Sequence, residues 1–221
     1  EFCYLTNNSG WFLATKGGFN NESHNHNDAG TFSLYINNTP ILIDAGVGTY
    51  TRHTFSSERY SIWTMQSNYH NLPMINGVPQ RFGQEYKATN VVCKEKQRYF
   101  SADISTAYPE EAAVNSWTRA YKLENKRLVI TDKFSLKETK AANQVNFLVW
   151  GDIDISKAGK VSITVGDEHA TLEYPTNFKA TLETIELPDT RLSNVWGKQI
   201  YRIVLTDSQK KLEGSYKFII K

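Results

Sequence analysis

At 221 residues, with 40 % apolar and 13 % aromatic content, the chain can build one large core, and its evenly mixed charges exclude a disordered segment. A formal net charge of +2 is too weak to indicate a nucleic-acid partner. No apolar run approaches the roughly 18 residues that a membrane helix needs, so no membrane span is expected.

The opening EFCYLTNNSGWFLATKG already reads as strand–turn–strand with no lead-in, as expected of a domain excised from a longer protein. Period-two patterning then continues almost without a break. GWFLATKG, TFSLYIN and PILIDAG are followed by KATNVVCKE, RYFSADIS, TRAYKLE and KRLVITDKFSLK, then by VNFLVW, KVSITVG, ATLEYP, YRIVLTD and GSYKFIIK. Each is rich in β-branched and aromatic residues, which favours a strand. Turn chemistry separates them at Asn37-Asn38, Asn76-Gly77, Glu124-Asn125-Lys126 and Gly166-Asp167, residues that tolerate the backbone of a tight reversal. Asn76-Gly77, between Ile75 and Val78, carries the strongest hairpin signal.

Helix signals are few. SSERYSIWTMQS at 56–67 can begin on a serine cap and make two turns, and PEEAA at 109–113 can make one. The pattern therefore predicts an all-β fold: a two-layer antiparallel β-sandwich of about a dozen strands with minimal helix, one domain over residues 1–221. Cys3 and Cys93 are the only cysteines. One disulfide or two buried thiols both fit them.

The chemistry concentrates in SHNHNDAG, residues 23–30. His24, His26 and Asp28 occupy every second position, and Asp44 in PILIDAGVGTY and His70 in SNYHNLP add further ligand types at strand ends. Imidazole nitrogen with one carboxylate is a donor set that suits zinc. The bland readings are a polar, histidine-rich turn and an Asp44 that only holds its glycine turn. His53 and His169 sit among polar neighbours without a partner motif. A cupin-type His-x-His site would need a glutamate shortly afterwards, and Ala29, Gly30, Thr31 and Phe32 stand there instead.

The combined pattern HNHNDAGTFSLYINNTPILIDAGVGTY followed by NYHNLPMINGVPQ, over about residues 19–85, resembles the C-terminal domain of the heparinase II/III-like polysaccharide lyases. The resemblance implies an antiparallel β-sandwich that normally follows an α/α toroid, with the substrate cleft between them. It implies β-elimination on uronic-acid polysaccharides of glycosaminoglycan, heparan or alginate type. It makes His24 the catalytic histidine, and His26, Asp44 and His70 the ligands of a structural zinc, or another divalent cation, that braces the loops. Asp28 and Asn71 would orient those ligands. Arg59 and Arg81, with Arg52, would meet sulfates or carboxylates of the substrate, and Tyr50 and Tyr60 would line the sugar cleft.

In a regular strand His24 and His26 would share a face. Their separate roles therefore require a loop or bulge, with the strand starting near Thr31. The toroid that completes the active site is absent from this chain, so the isolated domain is expected to be inactive. The partners implied are an acidic polysaccharide or oligosaccharide and the missing toroid, and the location implied is periplasmic or secreted. The alternative is a non-catalytic carbohydrate-binding or structural sandwich that carries the same motif.

Overall fold

The computed structural model describes residues 2–221. In the strands that reach the centre, every second side chain is buried: across Leu128–Leu136 these are Leu128, Ile130, Asp132, Phe134 and Leu136. That alternation gives a sheet one face for a core and one for water.

One layer is an eight-stranded sheet. From edge to edge it runs Asp152–Asp154, Lys160–Val165, Glu168–Glu173, Glu213–Ile220, Leu128–Leu136, Val114–Leu123, Tyr99–Asp103 and Thr89–Lys94. Opposite it lie two four-stranded sheets. The first orders Phe2–Thr6, Trp11–Lys16, Phe32–Ile36 and Thr39–Leu42; the second orders Phe178–Glu186, Gln199–Asp207, Gln144–Val149 and Pro73–Met74. They meet where the Ile43 amide donates to the Leu148 carbonyl at 2.9 Å. A short pair, Phe19–Asn20 with Gly83–Lys87, closes the side near the histidine loop.

Aromatic side chains bridge the layers. Phe32 meets Tyr121 at 5.0 Å between ring centroids, Phe147 meets Phe218 at 5.5 Å, and Phe178 meets Tyr216 at 4.7 Å. Contacts of this kind add to simple burial. All the ladders are antiparallel, as expected for the all-β sandwich.

The described residues form eighteen strands rather than a dozen. Most of the additions are too short or too polar to show a period. Phe178–Glu186 is an edge strand that buries only Phe178 and Ile185, and edges carry charge to resist further pairing. One α-helix, Thr190–Trp196, was not expected; Asp189 caps it by accepting from the amides of Arg191 and Leu192.

Residues 56–67 do begin on a Ser56 cap, whose side chain accepts from the Glu58 amide. They make separate 3₁₀ turns instead of an α-helix, because Ile62 and Gln66 are extended between them (ψ 123° and 138°). The turn expected at 109–113 is present as Glu110–Ala112. Asn37-Asn38 and Asn76-Gly77 all have positive φ, the backbone that a two-residue hairpin requires. Cys3 and Cys93 form a disulfide that ties the first strand to Thr89–Lys94 at the edge of the eight-stranded sheet.

Candidate functional site

The site lies where the two four-stranded sheets meet. Three segments converge there: the loop of residues 21–31 ahead of Phe32–Ile36, Asp44 just beyond Thr39–Leu42, and His70 after the turn Ser67–Tyr69.

The loop is irregular because His24 is left-handed, with φ 58°. A left-handed residue breaks strand alternation, so His24 and His26 leave the backbone in different directions. His24 is exposed, with its ring 6.3 Å from the Tyr50 ring in an edge-on arrangement. His26 turns inward, its ring 5.4 Å from that of His70.

Backbone and side-chain bonds hold this shape. The Asn27 amide donates to Met65 at 2.9 Å and the Gly30 amide to Lys16 at 2.8 Å. The Gln80 side chain pairs with Ala29 like a strand neighbour: its amide donates to the Ala29 carbonyl at 2.7 Å and its oxygen accepts from the Ala29 N–H at 3.1 Å. Gly30, at φ 87°, has no room for a side chain, since a Cβ would lie 2.5 Å from Ile104.

The donor atoms of His26, Asp44 and His70 all lie within 4.8 Å of one another. His70 Nδ1 is 2.9 Å from Asp44 Oδ2. Burial, then the neighbouring His70, push the His26 imidazole down to about 4. Burial alone would raise Asp44, but His70 and the bond it shares hold its carboxyl well below the usual range. A third of the Asp44 side chain (33 %) stays accessible, so solvent screens part of that effect. Burial alone would lower His70, but the Asp44 carboxylate overrides this and raises it.

Two imidazoles and one carboxylate are a fitting donor set for zinc with an open position. His70 Nε2 also fits: it is buried and has no hydrogen-bond partner among the described residues, a costly state for a polar atom unless something binds there.

Asp28 stands outside the cluster. Its carboxylate takes Lys16 Nζ at 2.6 Å, with Glu22 3.3 Å from the same amine. Asn71 gathers the converging segments. Its side-chain amide donates to the carbonyls of Phe32 (2.7 Å) and Ile43 (3.0 Å), and its oxygen accepts from the Leu148 amide at 2.7 Å.

The five residues expected at substrate are placed differently from one another, and Arg52 is exposed. Arg59 donates to the carbonyls of Asn25 and Thr54, so it braces the histidine loop. Arg81 is half-exposed, with Glu111 at 3.8 Å. Tyr50 is 38 % exposed beside His24, with the Arg191 guanidinium 5.3 Å from its ring centre. Tyr60 stacks on Phe82 at 4.4 Å and accepts from the Asn25 side chain. His53 and His169 lie outside the cluster, the latter 3.0 Å from Thr164 in an exposed hairpin. Lys16 was not singled out from the sequence, where a lysine at a strand end gives no sign that its amine is buried.

The family model of the heparinase II/III-like C-terminal domain matches residues 2–211. A heparan sulfate lyase mutant from Pedobacter heparinus superposes with a TM-score of 0.70 at 17 % identity, covering 100 % of this chain and 36 % of that one. A heparinase III gives 0.69 at 16 % identity, with 100 % and 35 % covered. A putative aldose 1-epimerase from Escherichia coli K12 gives 0.58 at 6 % identity, with 100 % and 98 % covered. At these identities the likeness speaks for the fold alone. No curated protein matches in sequence. The chain spans about a third of the length of the two lyase structures, and it belongs to the heparinase II/III-like C-terminal domain family.

Proposed function

We propose that this member of the heparinase II/III-like family is the sandwich part of a polysaccharide lyase, with His24 as its contribution to the chemistry and His26, Asp44 and His70 as the ligands of a structural zinc or similar divalent cation. One observation carries the reading. A single loop presents His24 outward at φ 58° and, two residues later, turns His26 into a cluster with Asp44 and His70.

The substrate class is an acidic polysaccharide built on uronic acid. In β-elimination a base takes the proton from C5, the C4–O bond breaks, C4 and C5 become doubly bonded, and the departing glycosidic oxygen takes up a proton. His24, exposed and edge-on to Tyr50, is suited to receive the C5 proton or, as imidazolium, to hold the uronate carboxylate. A bound cation would supply fixed positive charge that locks the three loop segments together. Arg81 and Tyr50 are suited to contact sugar on either side of the loop, while Arg59 keeps the loop in shape.

The facing wall of the cleft and the remaining acid–base groups would come from an α/α toroid outside these 221 residues, so the isolated chain should turn over nothing. The Cys3–Cys93 disulfide favours an oxidising compartment, the periplasm or cell exterior.

A second reading is a non-catalytic carbohydrate-binding sandwich. It draws on the exposed rings of Phe55 (76 %) and Phe82 (49 %), stacked on Tyr50 and Tyr60 respectively. The two readings part on His24→Ala in the full-length protein. Lost turnover with retained polysaccharide binding supports the lyase, and unchanged turnover removes His24 from the chemistry. Metal analysis of chelator-free chain, with His26→Ala as control, tests the cation: one per chain in the parent and none in the variant is expected.

A further inference from the structure

On strand Val114–Leu123 the inward side chains Trp117, Arg119 and Tyr121 are all fully buried. The Trp117 indole N–H and the Arg119 Nε and Nη2 all donate to the Asp132 carboxylate, at 2.9, 2.8 and 2.7 Å. Asp132 stands directly opposite Arg119 in the ladder, so its carboxylate holds one edge of the guanidinium with two bonds. Its remaining nitrogen, Nη1, donates at 2.7 Å to the carbonyl of Asn71, the residue after His70. Two positions along the same face, the Tyr121 hydroxyl donates at 2.6 Å to the carbonyl of Gly30, at the end of the loop that carries His24 and His26.

One strand of the opposite layer thus reaches through the core to both histidine-bearing segments. A buried ion pair adds little stability over well-packed apolar side chains, so stability alone does not account for charges at these two core positions.

We propose that Arg119, oriented by Asp132 and Trp117, acts with Tyr121 as a set of positioning residues for the His26–Asp44–His70 centre. Arg119 sets the height of the His70–Asn71 backbone, and Asn71 carries that position to Phe32 and to Ile43 beside Asp44. Tyr121 sets the far end of the His26 loop. This inference rests on reading the cluster as a metal site.

The test uses cobalt(II) as the probe, read by visible absorption and by competition against a chelator. The variants are Tyr121→Phe, which removes one hydroxyl, and the paired Arg119→Met/Asp132→Leu, which removes both charges together. Ile163→Ala is a core control in the outer part of the eight-stranded sheet. The parent chain should bind one cobalt. Tyr121→Phe and the paired variant should bind about 10- to 100-fold more weakly, with shifted absorption bands. Ile163→Ala should melt earlier yet bind like the parent.

Parent-like affinity and spectrum in both positioning variants would overturn the proposal. So would an equal loss of affinity in Ile163→Ala, since general stability would then explain the effect. A parent chain that binds neither cobalt nor zinc would overturn the metal reading itself and this inference with it, a result distinct from the other two.

Discussion

His24 and His26 stand two residues apart and face opposite environments: His24 is exposed at φ 58°, and His26 packs its ring 5.4 Å from His70. Regular strand geometry would put them on one face. The left-handed backbone at His24 separates their directions, and it does so at a cost, because a residue with a Cβ loses about 1–2 kcal/mol in that conformation. Strain held at the position proposed for catalysis invites a direct trial. His24→Gly should raise stability by roughly 0.5–1 kcal/mol while, under the proposed lyase reading, abolishing turnover of the full-length protein, and His24→Val should lower stability. Urea midpoints would measure this. A destabilised glycine variant would show that His24 is held by favourable contacts instead of strain.

Asp189 joins two segments that are distant in sequence. Its carboxylate accepts from the Thr49 amide at 2.7 Å and hydroxyl at 3.2 Å, and from the amides of Arg191 at 2.8 Å and Leu192 at 3.3 Å. It therefore caps the single helix and also anchors the loop that carries Tyr50. These bonds, the one from the Thr49 amide first, hold its carboxyl below the usual range. A carboxyl depressed in the folded chain stabilises it above the unfolded pKa of about 4, and that contribution fades as pH falls through the folded value. Asp189→Ala should cost about 1–2 kcal/mol at pH 7, and the gap to the parent should shrink steadily below about pH 4. A gap that stays constant down to pH 3 would assign the loss to packing instead of the charged cap.

The fold was legible because most strands alternate cleanly and their turns carry Asn and Gly where φ must be positive. Phe178–Glu186 escaped notice because an edge strand needs no apolar face, and Thr190–Trp196 because seven residues make no stripe. At the site, His24, His26, Asp44 and His70 were legible as ligand types in a recognisable order, and so was the need for a loop or bulge ahead of a strand near Thr31, which the left-handed His24 and the strand start at Phe32 meet. Arg59 was legible as a cation near the motif, yet only folding shows its guanidinium on the Asn25 and Thr54 carbonyls. Arg119 and Asp132 did leave a trace. Arg119 shares its parity with Trp117 and Tyr121, and Asp132 with Ile130 and Phe134, so each places a charge on a core-facing position.

Lys16 and Asp28 make a nearly buried pair, with side chains 8 % and 14 % exposed and a 2.6 Å contact. Burial would lower Lys16, but Asp28 and then Glu22 override it and raise it. Burial raises Asp28 despite the lysine beside it. Lys16→Met removes the cation that both Asp28 and Glu22 face, so it should cost about 3 kcal/mol. The paired Lys16→Met/Asp28→Leu should recover part of that loss, because the more buried carboxylate no longer lacks a counter-charge and only the partly exposed Glu22 does. Chemical denaturation of these two variants and of Asp28→Leu closes the cycle, and single-variant losses that simply add would show that the pair is not coupled.

The Cys3–Cys93 disulfide spans 90 residues of sequence and fastens the first strand of one layer to the edge strand Thr89–Lys94 of the other. Both the histidine loop and His70 lie within the segment it closes, so the cross-link limits how far the unfolded chain can separate the ligand-bearing parts. Loop-closure entropy for a segment of this length is worth about 4.5 kcal/mol. Reduction, or the paired Cys3→Ser/Cys93→Ser variant, should therefore lower stability in urea by about 4.5 kcal/mol and steepen the transition, because the unfolded chain without the cross-link exposes more surface. The folded chain should keep the metal affinity proposed for the His26–Asp44–His70 cluster, because neither cysteine belongs to it. An unchanged midpoint after complete reduction would mean that the unfolded chain is already compact in this region. A loss of metal affinity in the folded reduced chain would instead place the cross-link among the groups that hold the site together.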